Sequence, residues 1–256
     1  MKLSLAVAGK GGTGKTTLSA LVVRSLREIK AGAVLAVDAD PTSNLAEALG
    51  VDSGIHLSSI REKGATPEGS PSSGVGRARA IDDEIQRAIT EASGFDLVTM
   101  GAGEGPSCYC YVNNLLRQSL ESLSRSYDAI VLDNEAGLEH LSRRTTNNVD
   151  FLIAVMNPTM PSFRAVKRII QLSRELPVRI DHRLLLVNRM RDEGLPAEVE
   201  RQLAELDVER LPDVPQDDAV ERAGAEEQNV FTLSDQAPAV VAVRKLVESL
   251  RDRLSA

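Results

Sequence analysis

One stretch near the start restricts the possible folds more than any other: LSLAVAGKGGTGKTTLSALVV, residues 3–23. A short apolar run leads into four glycines among six residues and then into an apolar-periodic segment, so the order is strand, tight loop, helix. Gly9, Gly14, Lys15 and Thr16 satisfy the spacing G-x-x-x-x-G-K-[ST]. Gly9, Gly11 and Gly14 also fit G-x-G-x-x-G, a weaker dinucleotide pattern. Lys15 and Thr16 decide between them. A nicotinamide dinucleotide has no use for a cation at that point. A nucleoside triphosphate needs one on its β- and γ-phosphates, and a hydroxyl, here that of Thr16, on Mg²⁺. Residues 9–17, which include Gly12, Thr13 and Thr17, are therefore expected to cradle the phosphates.

The same rhythm repeats downstream. AVLAVDAD, FDLVTMG, YDAIVLDN, VDFLIAVMN and HRLLLVNRM are continuous apolar runs of strand length. Runs without alternation suit parallel strands buried on both faces. Helices are expected over Thr16–Lys30, Ile81–Ala92, Val112–Ser124, Leu138–Asn148, Ser162–Glu175 and Pro196–Leu206. This alternation predicts an α/β fold with a doubly wound, mostly parallel sheet flanked by helices. One domain over 1–256 is expected. Residues 64–76, GATPEGSPSSGVG, read as a loop. Val240, Val243, Val247, Leu250 and Leu254 form a helical stripe. Mixed charges opposite it favour packing on the sheet over a membrane surface.

Composition narrows the partners. The net charge of −7 speaks against a general nucleic-acid surface, and 3% aromatics with no tryptophan leave an aliphatic core. No run approaches the roughly 20 apolar residues of a membrane span. The N-terminal apolar run is too short for a secretion signal and lacks a cleavage pattern. A cytoplasmic protein with no stable membrane anchor is expected.

Cys108 and Cys110 are the chain's two cysteines, in GPSCYCYVNN. Residues so close make a poor intrachain disulfide. They are either buried free thiols or a pair of soft ligands that other residues, or a second chain, complete to four.

GKGGTGKT, with Lys10 following the first glycine, resembles the deviant phosphate loop of the MinD, ParA, nitrogenase-iron-protein and arsenite-pump ATPases. The resemblance implies that Lys10 and Lys15 act catalytically, with Lys10 reaching a partner's nucleotide across a dimer. VLAVDADPTSNL is similar to the first switch, which implies Mg²⁺-shell duty for Asp38 and water activation for Asp40; capping or turn formation is the plainer role for both. VLDNEAGLEH is similar to the second switch, placing Asp133 near the metal waters and the Gly137 amide at the γ-phosphate. Asn188 stands where the superfamily reads adenine, and no N-K-x-D follows; an ordinary strand-end turn is the alternative. GEGPSCYCYVNNLLR with DNEAGLEHLSRRTT resembles the CooC family, which serves carbon monoxide dehydrogenase and acetyl-CoA synthase. That likeness implies ATP and Mg²⁺, a nucleotide-dependent homodimer, and Ni²⁺ or Zn²⁺ held between two Cys108–Cys110 pairs. It also implies a nickel enzyme as client. A spatial-organising ATPase of the MinD or ParA kind is the alternative. An iron–sulfur electron donor fits poorly with a C-x-C spacing.

Overall fold

The continuous apolar runs become the inner strands of a sheet. The computed structural model describes residues 2–40, 42–59, 74–101, 125–134, 148–176 and 178–255. Among them the strands are β1 (Leu3–Gly9), β2 (Val34–Asp38), β3 (Thr90–Ala92), β4 (Phe95–Thr99), β5 (Ala129–Asp133), β6 (Asn148–Met156), β7 (Arg179–Val187) and β8 (Glu209–Arg210). They pair in the order β3-β4-β2-β5-β1-β6-β7-β8. Every pairing is parallel except that of β3 with β4.

The helices are α1 (Lys15–Glu28), α2 (Leu45–Leu49), α3 (Gly74–Arg87), α4 (Met160–Glu175), α5 (Ala197–Ala204), α6 (Asp218–Ala225) and α7 (Pro238–Ser255). They divide between the two faces. Leu5 and Val7 of β1 face a core built with Leu18, Leu21, Val240 and Val243, whereas Ala6 and Ala8 face one built with Ile85, Phe163, Val166 and Val199. Because both faces are dry, alternation vanishes from the strand sequences. The apolar stripe of α7 lies along α1, with Val240, Val243, Val247 and Leu250 buried. Each such side chain contributes about 1.5–3 kcal/mol of burial.

Three local expectations change. The helix foreseen over Ile81–Ala92 is α3, starting at Gly74 and ending at Arg87, and residues 90–92 turn back as β3 against β4. Thr90 and Ala92 have the small or β-branched character of an edge strand, and their alternation is too short to register as a pattern. Gly74–Gly76, assigned to the loop, open α3. The two-residue β8 had no apolar signal. The helices foreseen over Val112–Ser124 and Leu138–Asn148 lie outside the described residues, save that Asn148 begins β6.

Candidate functional site

Parallel strands bring their C-terminal ends to one edge, and the loop Gly9–Thr17 crosses that edge at the sheet's centre. Two of its glycines are geometrically required. A Cβ on Gly9 would stand 2.4 Å from the Val155 carbonyl oxygen and 2.9 Å from Thr13 Oγ1. Gly14 has φ +83°, a left-handed conformation, and its Cβ would meet Asn188 Nδ2 at 2.5 Å. The loop folds around the Lys10 carbonyl, which accepts from Thr13 N (3.2 Å), Thr13 Oγ1 (2.8 Å) and, more weakly, Lys15 Nζ (3.5 Å). Lys15 is buried, whereas Lys10 is exposed.

Helix α1 begins with Gly14 at its N-cap and carries no side-chain cap and no acid in its first turn. Its first amides are therefore left for an anion, with the helix dipole favouring negative charge there. Other helices in the chain are finished differently. Thr159 caps α4 through Ser162 N, and Asp217 caps α6 through Ala219 N.

Beside the loop lies an acidic row. Asp38 ends β2 and is in register with Asp133, which ends β5; Thr99, ending β4, is in register with Asp38 on the other side. All three are at most 1% exposed. Asp38 Oδ1 accepts from Asp40 N (3.1 Å) and Oδ2 from Leu45 N (2.9 Å), so this carboxylate also caps α2. Asp40 forms a turn, its Oδ1 accepting from Thr42 N (3.0 Å) and Thr42 Oγ1 (2.7 Å). The capping and turn roles set against the switch reading are thus realised, and they hold both carboxylates beside the phosphate loop.

Burial pushes the Asp38 carboxyl up to about 6, with the neighbouring Asp40 charge adding to it. Burial likewise raises Asp133 to about 6, reinforced by Asp38 and opposed by the Thr16 and Ser19 hydroxyls and by Lys15. Asp133 Oδ1 accepts from Ser19 Oγ (3.0 Å), while Oδ2 is buried without a partner. Two carboxylates raised in this way, one with an orphaned oxygen beside a phosphate loop, form a donor set suited to a hard divalent cation such as Mg²⁺.

On the other flank, Asn188 ends β7. Its Nδ2 donates to the Thr13 carbonyl (2.9 Å), and its Oδ1 accepts from Arg189 N (3.0 Å). It braces the loop, as a strand-end turn residue can. It also lines a cavity of about 340 Å³ with Gly14, Thr17, Pro215, Asp217 and Gly224. Gly137, Cys108 and Cys110 lie outside the described residues; the segment bearing the cysteines leaves β4 next to Asp38 and rejoins the described chain before β5.

Sequence reasoning did not single out Ser19, Thr99, Asp217 or Gly224. Ser19 was legible, four residues after Lys15 and so on the same helix face. Asp217 carried an N-cap signal, an aspartate just before a helical stretch. Thr99 and Gly224 become visible only through register and helix packing.

An apolar-stranded sheet with a phosphate loop, an uncapped helix N-terminus and a buried acidic row defines a nucleotide-binding enzyme of the phosphate-loop class. Residues 5–230 match the CobQ/CobB/MinD/ParA nucleotide binding domain. The chain belongs to that family and is an ATPase of it. It is 40% identical over 191 residues to an uncharacterized ATP-binding protein of Methanocaldococcus jannaschii, covering 74% of this chain and 75% of that protein. It is 32% identical over 190 residues to the carbon monoxide dehydrogenase accessory protein CooC of Rhodospirillum rubrum, covering 69% of this chain and 71% of that protein. The septum site-determining protein MinD of Pyrococcus horikoshii, solved with Mg-ADP, shares the fold with a TM-score of 0.72 at 23% identity, over 100% of this chain and 98% of that one. No helix among the described residues is long and apolar enough to cross a membrane.

Proposed function

We propose that this chain is an ATP-hydrolysing metallochaperone that helps insert nickel into an enzyme of the carbon monoxide dehydrogenase or acetyl-CoA synthase type. The observation that carries this reading is the Cys108-Tyr109-Cys110 motif in a chain 32% identical to CooC. The working unit is a cytoplasmic homodimer of one domain per chain. Each copy contributes two thiolates, and the two-fold axis makes a four-sulfur site for Ni²⁺ or Zn²⁺ as cargo.

The roles at the nucleotide follow from placement. The α1 amides and Lys15 hold the β- and γ-phosphates. Exposed Lys10 reaches the partner's nucleotide. Asp40, whose Oδ1 is fixed by Thr42, orients the attacking water, and among the described residues its Oδ2 takes no hydrogen bond. Thr16, with Asp38 and Asp133 behind it, would hold Mg²⁺, which when bound neutralises charge on the phosphates. Asn188 keeps one amide hydrogen on Thr13 and presents the rest of its edge to the base cavity. The Gly137 amide serves the γ-phosphate. Water adds to the γ-phosphorus as the bond to the β-phosphate oxygen breaks, giving ADP and phosphate. Loss of the γ-phosphate then relaxes the Asp38–Asp40 and Asp133–Gly137 segments and parts the thiolate pairs, releasing the metal.

The test is metal analysis joined to equilibrium sedimentation, with and without a non-hydrolysable ATP analogue. One Ni²⁺ or Zn²⁺ per dimer is expected, lost in the Cys108→Ala/Cys110→Ala chain. Stoichiometric Ni²⁺ on a dimer of that double variant would sink the shared-thiolate site. Metal-free protein that pellets with liposomes would instead favour an organising ATPase of the MinD kind, whose fold this chain shares.

A further inference from the structure

Helix α6 contains a residue that its own fold does not explain. Gly224 is the seventh of eight residues in Asp218–Ala225, and glycine is a poor helix residue because it gives up the most backbone freedom. Three usual reasons for a glycine fail here. Its backbone is helical, with no positive φ. It is not the left-handed residue that ends the helix, since that position is taken by Glu227 at φ +54°. No neighbour demands close approach, because a Cβ built on Gly224 meets nothing within 4 Å. The position would accept alanine with a gain in helix stability, unless something outside the fold requires the space.

That space is the nucleotide cavity. Gly224 lines both the 340 Å³ cavity beside Gly14 and Asn188 and an adjoining one of about 280 Å³ beneath Thr16 and Asn44; Thr17 and Val220 line both as well. The helix cannot drift to make room by other means. Asp217, 8% exposed, accepts from Ala219 N through Oδ1 and from Ala239 N through Oδ2, both at 2.9 Å. One carboxylate thereby caps α6 and ties it to the first turn of α7. Arg24 of α1, 3% exposed, fixes the segment beyond α6 by donating to the carbonyls of Val230 (2.7 Å) and Leu233 (3.0 Å).

We infer that Gly224 is a specificity-determining residue: it leaves room for the base and ribose end of a nucleoside triphosphate, on a wall whose position Asp217 sets. The inference rests on the reading of residues 9–17 as the phosphate site, which supplies the other end of the ligand. Phosphate binding itself owes nothing to Gly224.

Full-length wild type, Gly224→Ala and Gly224→Leu are titrated calorimetrically with ATP and with inorganic tripolyphosphate, both with Mg²⁺, and their unfolding midpoints are measured without ligand. Wild type is expected to bind ATP more tightly than tripolyphosphate. Gly224→Ala should unfold at or above the wild-type temperature yet bind ATP several-fold more weakly. Gly224→Leu should lose about tenfold or more in ATP affinity, as overpacking a contact does. Tripolyphosphate should stay within about twofold in both, since a base-side change leaves the phosphate contacts intact. Wild-type ATP affinity in Gly224→Leu overturns the inference, as does an equal loss of tripolyphosphate binding in Gly224→Ala. Wild type that binds tripolyphosphate as tightly as ATP removes the base contact but leaves the phosphate loop standing. Wild type that binds neither overturns the loop reading and this inference with it.

Discussion

The two halves of the sheet's C-terminal edge are finished in opposite ways. On the β1–β6–β7 side the polar groups are knitted together: Asn188 spans from the Thr13 carbonyl to Arg189 N, and Gly9 lies against the Val155 carbonyl with no room for a side chain. On the β4–β2–β5 side the polar groups are buried and under-satisfied: Thr99 Oγ1 and Asp133 Oδ2 have no partner, and Asp38 and Asp133 are both raised to about 6. The first half is a prebuilt cradle, and the second stores a mismatch that charge neutralisation would relieve. A substitution in one half should therefore differ in sign from its counterpart in the other.

The largest effect is expected at Gly9→Ala. The added Cβ would sit 2.4 Å from a backbone oxygen of β6, so a strand or the loop must shift. A cost of about 3 kcal/mol is expected, read as a lower urea midpoint, together with weaker ATP binding. A variant of unchanged midpoint would show that the cradle is softer than its contacts imply.

Asp133→Asn comes next and should act in two directions. Mg²⁺ affinity, read from the Mg²⁺ dependence of ATP turnover, should fall about 10–100-fold. The unliganded protein should become more stable, because the native fold disfavours the charged carboxylate. The pH dependence has the same origin. The native pKa of Asp38 and Asp133 lies near 6, above the ordinary value of 3.8, so at intermediate pH the native state binds protons that the unfolded chain does not. Stability is gained as pH falls through about 6 and lost as it rises. Without nucleotide or divalent cation, the unfolding midpoint should rise by about 5 °C between pH 7 and pH 5. Asp133→Asn should weaken this gradient. A midpoint that falls over that range would contradict the mismatch.

Asn188→Ala probes the knitted half with a smaller step. It strips the partner from the Thr13 carbonyl in a buried position, which should cost about 1–3 kcal/mol by urea denaturation. A larger loss of affinity for ATP than for tripolyphosphate would assign the residue to the base as well as to the loop.

The contrast between the halves was only partly legible beforehand. The strand runs, Lys15, Thr16, Asp38 and Asp133 can be read from sequence because they fall at strand ends or at fixed motif spacing, and local patterning sets those. That the aspartates are neighbours cannot be read that way: β2 and β5 pair although nearly 90 residues separate them, and register is a property of the sheet. Asn188 was foreseen facing the base, and its tie to Thr13 depends on the β1–β6–β7 order. β3 was taken for the end of a helix because three residues carry too little periodicity to overrule the apolar spacing before them.

Thr99→Val is the smallest change and the sharpest comparison with Asn188→Ala. Thr99 is fully buried, its hydroxyl has no partner, and valine has nearly its shape. Removing an unsatisfied buried hydroxyl should stabilise the unliganded protein by about 1 kcal/mol, whereas deleting Asn188's amide, which is fully used, should destabilise it. Both are polar-to-apolar changes at the end of an inner strand, so their opposite signs would come from hydrogen-bond satisfaction alone. Paired urea melts of the two variants give the measurement. If Thr99→Val loses stability, the hydroxyl has a partner in solution and the β4–β2–β5 half is as well satisfied as its counterpart. If it gains stability but raises the Mg²⁺ needed for turnover, the hydroxyl belongs to the same cation-facing row as Asp38 and Asp133.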